Sequence, residues 1–207
     1  MSNESKPADA LSITVRDFIA ATAARQATPG GGSVAGAVGA MGAALAEMSL
    51  AFTRGRKAFA QHEDFYAHLA ARLARARAMF QDLVADDMAA YGLYQQATAM
   101  EDGPQKAQAT QLALAAAIDV PREAAKLALA LLGDCLSLAD KCNPWLISDL
   151  KAAAALAVAV ARISDYNVRV NAGPLDDRPA AEDVLSASTA DRDRAETLLE
   201  QVEQAAK

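Results

Sequence analysis

Residues able to do chemistry cluster at three places in this chain. The first is the turn Thr28-Pro29-Gly30-Gly31-Gly32-Ser33, which opens into an Ala- and Gly-rich run from Val34 to Ala44. Glycines allow backbone conformations that other residues avoid, and Ser33 can cap the helix that follows. The N–H groups and dipole of that helix end favour an anion or a polar ligand edge. Gly30, Gly31, Gly32 and Ser33 are therefore candidate ligand contacts, and the competing reading is a turn that only starts a tightly packed helix. The second place is the cluster Asp82, Asp86 and Asp87, followed by Tyr91. Asp87 and Tyr91 stand four apart on one helical face, so one can orient the other; a solvated acidic patch is the competing reading. The third is the basic turn Arg54-Gly55-Arg56-Lys57. Its cations can hold an anionic ligand group, Lys57 can move a proton if it is buried, and a solvated surface turn is the alternative.

The elements that must position these residues are helices. Hydrophobic residues make up 53 % of the 207 and aromatics 5 %. Alanine, the best helix former, supplies much of the apolar count, and alternating strand-like runs are absent. The expected class is all-α: a single-domain bundle of about five long helices plus a C-terminal helix. Residues 1–10 read as a flexible N-terminus and 11–207 as the helical domain. Thr14 and Asp17 have capping-box spacing for a first helix beginning near Leu11, with Ile13, Phe18 and Ile19 on its apolar side. A second helix is predicted from Ser33 to Phe52, a third from Asp64 toward Met100, and a fourth from Gln105 to Asp140 with a start or kink at Pro121. A fifth runs from Trp145 to Val170, and a charged one from Thr189 to Ala206 carries Leu198, Leu199 and Val202 on one side.

Several classes are set aside. The glycine turn lacks the Gly-Lys-Ser/Thr of a phosphate-binding loop. The almost uncharged stretch from Ser33 to Phe52 has the length of a membrane span, but it is mostly Ala and Gly and Glu47 interrupts it, so a buried core helix is expected. A net charge of −6 argues against nonspecific nucleic-acid binding. Cys135 and Cys142 are expected as two core thiols, because a disulfide along one helix is geometrically poor. His62 and His68, six apart, make a poor zinc pair. Glu4 and a polar start speak against a signal peptide, and the expected location is cytoplasmic.

Three separated segments together resemble one family. They are Pro29 to Ser33 with its Ala/Gly helix; Leu83-Val84-Ala85-Asp86-Asp87-Met88-Ala89-Ala90-Tyr91; and Asn143-Pro144 with Ile147-Ser148-Asp149-Leu150 and Asn167-Val168-Arg169-Val170-Asn171. Over roughly Leu11 to Asn171 the chain resembles the formiminotransferase-cyclodeaminase C-terminal domain family, which includes stand-alone methenyltetrahydrofolate cyclohydrolases. The resemblance implies an all-helical, dimeric enzyme acting on the one-carbon unit of tetrahydrofolate. It adds water to the 5,10-methenyl cation or, alternatively, releases ammonia from the 5-formimino compound, with no cofactor beyond the folate substrate and no metal. A non-catalytic helical assembly protein is the alternative from another class.

By the same resemblance the family's glycine turn falls on Gly30, Gly31 and Gly32, and its segment after the second helix on Gly55 and Lys57. Its acidic position before an aromatic falls on Asp87 and Tyr91. Its Asn-Pro and Ser-Asp positions fall on Asn143, Pro144, Ser148 and Asp149. The chain departs from the pattern at Cys142, Trp145 and Leu146, and at Gly92-Leu93-Tyr94. Asp87 is the first candidate for the catalytic carboxylate, with Lys57 second. Lys57, Arg54 and Arg56 are expected chiefly to bind the glutamate tail. Substrate contacts are also assigned to Tyr91, Asn143, Ser148, Asp149 and Asn167. Asp149 and Asn167 cannot serve one small centre from a straight helix, because 18 residues separate them by about 27 Å.

Overall fold

The computed structural model describes residues 12–206, so the expected flexible segment 1–10 lies outside the described residues. The helices are α1 (Val15–Ala23), α2 (Gly31–Ala51), α3 (Glu63–Thr98), α4 (Pro104–Ala139), α5 (Ile147–Ala172) and α6 (Arg178–Ala205). Short 3-10 turns precede α3 at Lys57–His62 and α5 at Pro144–Leu146. No strand occurs among the described residues, and the all-α expectation holds. Thr14 caps α1 by accepting from the Asp17 N–H at 3.1 Å. No residue of α1 is buried, so its apolar side stays open.

Helices α2, α3, α4 and α5 form an antiparallel four-helix core, and α6 lies along α4 and α5. The middle of the core is filled by Phe80, Leu131, Leu132, Leu150 and Val160. By length and composition α2 could cross a membrane, with a mean hydropathy of 1.5, but α3, α5 and α4 pack against it here. Its glycines decide how. A Cβ on Gly36 would stand 2.8 Å from a Val84 methyl and 2.9 Å from the Phe80 carbonyl, and one on Gly39 would collide with the Phe80 ring. The small-residue face of α2 thus receives α3 of the same chain. In sequence the run Gly32, Ala35, Gly36, Gly39, Ala40 and Ala43 suggests a small-residue face for a second copy of the chain, but an intramolecular neighbour occupies it here.

Pro121 neither starts nor breaks α4, which runs through it. A proline at 121 cannot donate to the Ala117 carbonyl one turn back. The Asn171 side chain on α5 donates to that oxygen instead, at 2.7 Å. Helix α6 begins at Arg178, eleven residues before the predicted start. The signal was Asp177, whose carboxylate accepts from the Ala180 N–H at 3.1 Å. Pro179 occupies the first turn, where a missing N–H costs nothing. Both cysteines are free and buried as expected, and burial pushes the Cys135 thiol up to about 12.

Asp165 on α5 fastens α6. It is buried, and it accepts from Ser188 at 2.8 Å, Arg169 at 2.9 Å and Arg192 at 3.2 Å. Burial alone would raise its carboxyl, but these hydrogen bonds and charges outweigh it and hold the group below the usual carboxylate range. A depressed carboxyl stabilises the fold above its unfolded value and loses that contribution as pH falls through its folded value. Asp165→Asn should therefore cost about 2–3 kcal/mol near neutral pH. This is less than for a fully buried pair, because both arginines stay partly in water. Thermal melts of the two proteins should converge as the pH is lowered below the usual carboxylate range. Gly39→Leu, by contrast, should destabilise by roughly 1–3 kcal/mol or more through overpacking on Phe80, read as a lower melting temperature in circular dichroism.

Candidate functional site

The glycine turn closes one end of the bundle. Gly30 is the N-cap of α2, in an extended conformation with φ −111°. Gly55, at φ 75°, is the glycine in the left-handed region among the described residues, so this turn does not need glycine for its dihedrals. It needs the missing side chains. A Cβ on Gly32 would collide with the Asp87 carboxylate, whereas one on Gly31 would meet the Asn167 amide at an ordinary 3.4 Å. Ser33 is not the cap. It lies in the first turn, fully buried, and donates to Asp87 Oδ2 twice, from N–H at 2.8 Å and from Oγ at 2.6 Å. The anion expected at this helix end is the chain's own carboxylate, delivered by α3.

Around Asp87 lies a cleft of about 310 Å³, within the range of small-molecule sites. Gly30, Gly31, Gly32, Asp87, Tyr91 and Asn167 all line it, so six of the thirteen candidate residues meet in one place. Leu114, Ala117, Val120 and Val170 form apolar walls, and Tyr94 and Asn171 complete the polar lining. No hydrogen bond joins Tyr91 to Asp87; the two are neighbours in the lining only. The Asn167 Nδ2 donates to the Ile163 carbonyl at 3.0 Å, and that of Asn171 to Ala117. Each amide thereby uses one of its two N–H donors within the bundle and keeps its carbonyl oxygen and one N–H. The carboxylate beside them suits a ligand that brings positive charge and N–H groups. Sequence reading missed Tyr94 as a lining residue, although its spacing of seven from Asp87 put it on the same face.

The other candidates lie elsewhere. Lys57, Arg54 and Arg56 follow the far end of α2, about 30 Å from the glycine turn along a 21-residue helix. Arg54 pairs with Glu63, while Arg56 and Lys57 are exposed. Asn143 is buried and structural. Its N–H donates to Thr53 Oγ1 at 2.9 Å, its Nδ2 to the Phe52 carbonyl at 3.1 Å, and its Oδ1 accepts from the Trp145 N–H at 3.3 Å. Ser148 is exposed, and neither it nor Asp149 caps α5, whose N-cap is Leu146 without a side-chain bond. Asp149 stays in the first turn at the end opposite Asn167, as their separation required. Asp87, Lys57, Asn143 and Asp149, all assigned to one substrate from the sequence, do not surround a common pocket within one chain, and of the four only Asp87 lines the cleft.

An antiparallel bundle with a glycine-seated carboxylate defines a helical small-molecule-binding domain, and its sequence relationships narrow that class. The formiminotransferase-cyclodeaminase family matches residues 14–190, and the chain belongs to that family. It is 34 % identical over 179 residues to the methenyltetrahydrofolate cyclohydrolase of Methylorubrum extorquens, covering 83 % of this chain and 85 % of that one. It is 33 % identical to the formimidoyltransferase-cyclodeaminase of Mus musculus over 166 residues, which is 78 % of this chain but 31 % of the mouse protein. The chain thus spans about a third of that longer relative. The crystal structure of formiminotetrahydrofolate cyclodeaminase from Thermotoga maritima superposes with a TM-score of 0.86 at 29 % identity, covering 94 % of this chain and 96 % of that one.

The two glycines that contact the site should differ sharply on substitution. Gly32→Ala should expel the Asp87 carboxylate from its Ser33 donors and cost about 2–3 kcal/mol, the scale of a lost charged hydrogen bond. Gly31→Ala should stay within about 1 kcal/mol of wild type. Urea unfolding of both variants checks the contrast.

Proposed function

We propose that the chain is a methenyltetrahydrofolate cyclohydrolase, converting 5,10-methenyltetrahydrofolate and water into 10-formyltetrahydrofolate. The observation that carries this reading is the clamped Asp87 carboxylate in an apolar-walled cleft, the complement of a flat cationic ring. The relationship to the Methylorubrum cyclohydrolase over most of both chains supports it.

The substrate's charge is shared over N5, the bridging carbon and N10. Asp87 stabilises that cation by attraction, which is strengthened where the walls exclude water. Ser33 holds Oδ2, so Oδ1 is the oxygen left to accept a proton. Water adds to the bridging carbon, forming a C–O bond while one water proton passes to Oδ1 and on to solvent. The resulting carbinolamine then loses its hydroxyl proton as the C–N5 bond breaks. That electron pair returns to N5, which takes up a proton, and the carbon remains on N10 as a formyl group. One proton is released overall. Asn167 and Asn171 offer carbonyl oxygens to ring N–H groups, and Tyr91 and Tyr94 offer faces against which a flat ring can lie.

Cyclodeamination of the 5-formimino compound is the second reading, favoured by the likeness to the Thermotoga protein. Loss of the methenyl absorbance by purified protein, run beside ammonia release from 5-formiminotetrahydrofolate, separates the two. Asp87→Asn should lower kcat by about a hundredfold or more, the scale of lost proton transfer. It should move KM less, since the clamped side chain acts mainly in the chemical step. A folded variant with near-wild-type kcat would remove Asp87 from the mechanism.

A further inference from the structure

Pro121 lies buried well inside α4, which continues past it to Ala139. Proline is the residue least suited to a helix interior, and the course of α4 does not call for one. Its visible effect is on the Ala117 carbonyl, which loses the backbone donor that residue 121 would otherwise supply. A carbonyl left unpaired in a half-buried place is costly, and the Asn171 amide of α5 meets it at 2.7 Å. Ala117 and Asn171 both line the cleft, as does Val120 beside the proline, whereas Pro121 stands behind them.

Asn167, one turn earlier on α5, shows what is particular about Asn171. Its Nδ2 also donates to a carbonyl, that of Ile163 at 3.0 Å. That carbonyl belongs to its own helix, where the backbone N–H four residues on already pairs with it. The Ala117 carbonyl has no such backbone donor, so it and Asn171 hold each other, and the bond ties α5 to α4 at the cleft wall. One Nδ2 hydrogen of Asn171 is committed to it. Oδ1 and the second Nδ2 hydrogen remain, on a planar group whose orientation the bond to α4 sets. An acceptor and a donor on one small plane match a ligand group that both donates and accepts, as the N–H and C=O of a ring amide do.

We infer that Pro121 is a positioning residue of the ligand site. By denying Ala117 a backbone donor it fastens Asn171 to α4, and Asn171 so fastened binds the amide-like edge of a flat heterocycle whose reacting end lies at Asp87. Pro121 touches no ligand and acts through Asn171 alone. That the heterocycle belongs to a folate rests on the cyclohydrolase reading; the fastening of Asn171 does not.

Pro121→Val returns the backbone donor while keeping most of the buried volume, and Pro121→Ala serves if the valine variant does not fold. Either should raise KM for 5,10-methenyltetrahydrofolate about tenfold, the scale of one misplaced hydrogen bond, and lower kcat far less. Asn171→Ala should raise KM by a similar factor and also lower the melting temperature, because Ala117 is then left with no donor. Adding the residue 121 change to Asn171→Ala should raise KM no further and should recover the melting temperature, since the backbone bond is back. The fastening is also read without substrate. In 15N-labelled protein the Asn171 side-chain signal, identified by its loss in Asn171→Ala, should exchange with deuterium at least about tenfold faster in the residue 121 variant than in wild type. Equal exchange rates would overturn the inference. So would a wild-type KM in the folded residue 121 variant, or KM effects that multiply in the double variant, the result expected of a proline that serves packing only. If wild type proves inactive on the methenyl compound, the cyclohydrolase reading fails, while exchange and melting still decide the fastening.

Discussion

The contact between α2 and α3 governs the rest of the structure, because the same approach that packs the core also seats the functional carboxylate. Gly36 and Gly39 let Val84 and Phe80 press against the α2 backbone. One and two turns toward the N-terminus, Gly32 admits Asp87 under the same geometric rule. A carboxylate drawn into such a narrow space would be costly if its lone pairs went unpaired. Ser33 answers one oxygen with two donors, and the start of the helix adds its dipole. The site is therefore not mounted on a mobile loop but on two rigid helices whose spacing is fixed by side chains that are absent.

Much of the fold was legible in the sequence because punctuation was strong. Asp102-Gly103-Pro104 and Asn143-Pro144 mark the ends of helices α3 and α4, and Thr14 with Asp17 marks the start of α1. Two elements were less legible. Pro121 reads in the sequence as a start or kink, because the residue that replaces its missing hydrogen bond, Asn171, is fifty positions away. The first third of α6 looked like loop, because Arg178-Pro179 reads as a breaker unless Asp177 is recognised as the cap.

The site was legible in part, and for a reason of the same kind. Asp87, Tyr91 and Asn167 were found from local spacing or from family resemblance, and the cleft gathers them. The role of Ser33 was not legible: as a cap it would point along its own helix, and only the arrival of α3 makes it the holder of Asp87. Asn143 has the look of a ligand contact in sequence, yet its three hydrogen bonds go to Thr53, Phe52 and Trp145. A sequence shows which residues can do chemistry but not which of them the backbone has already engaged.

The proline in α4 has a consequence for what the cleft presents to a ligand. Asn171 is turned with its amine toward Ala117 because Pro121 leaves that carbonyl without a donor. An ordinary residue at 121 would restore the backbone donor and release the amide, which could then rotate and present a different polar edge to the cleft. The polarity of the wall is thus written one helical turn away, by a ring whose own atoms carry no charge and form no part of the lining.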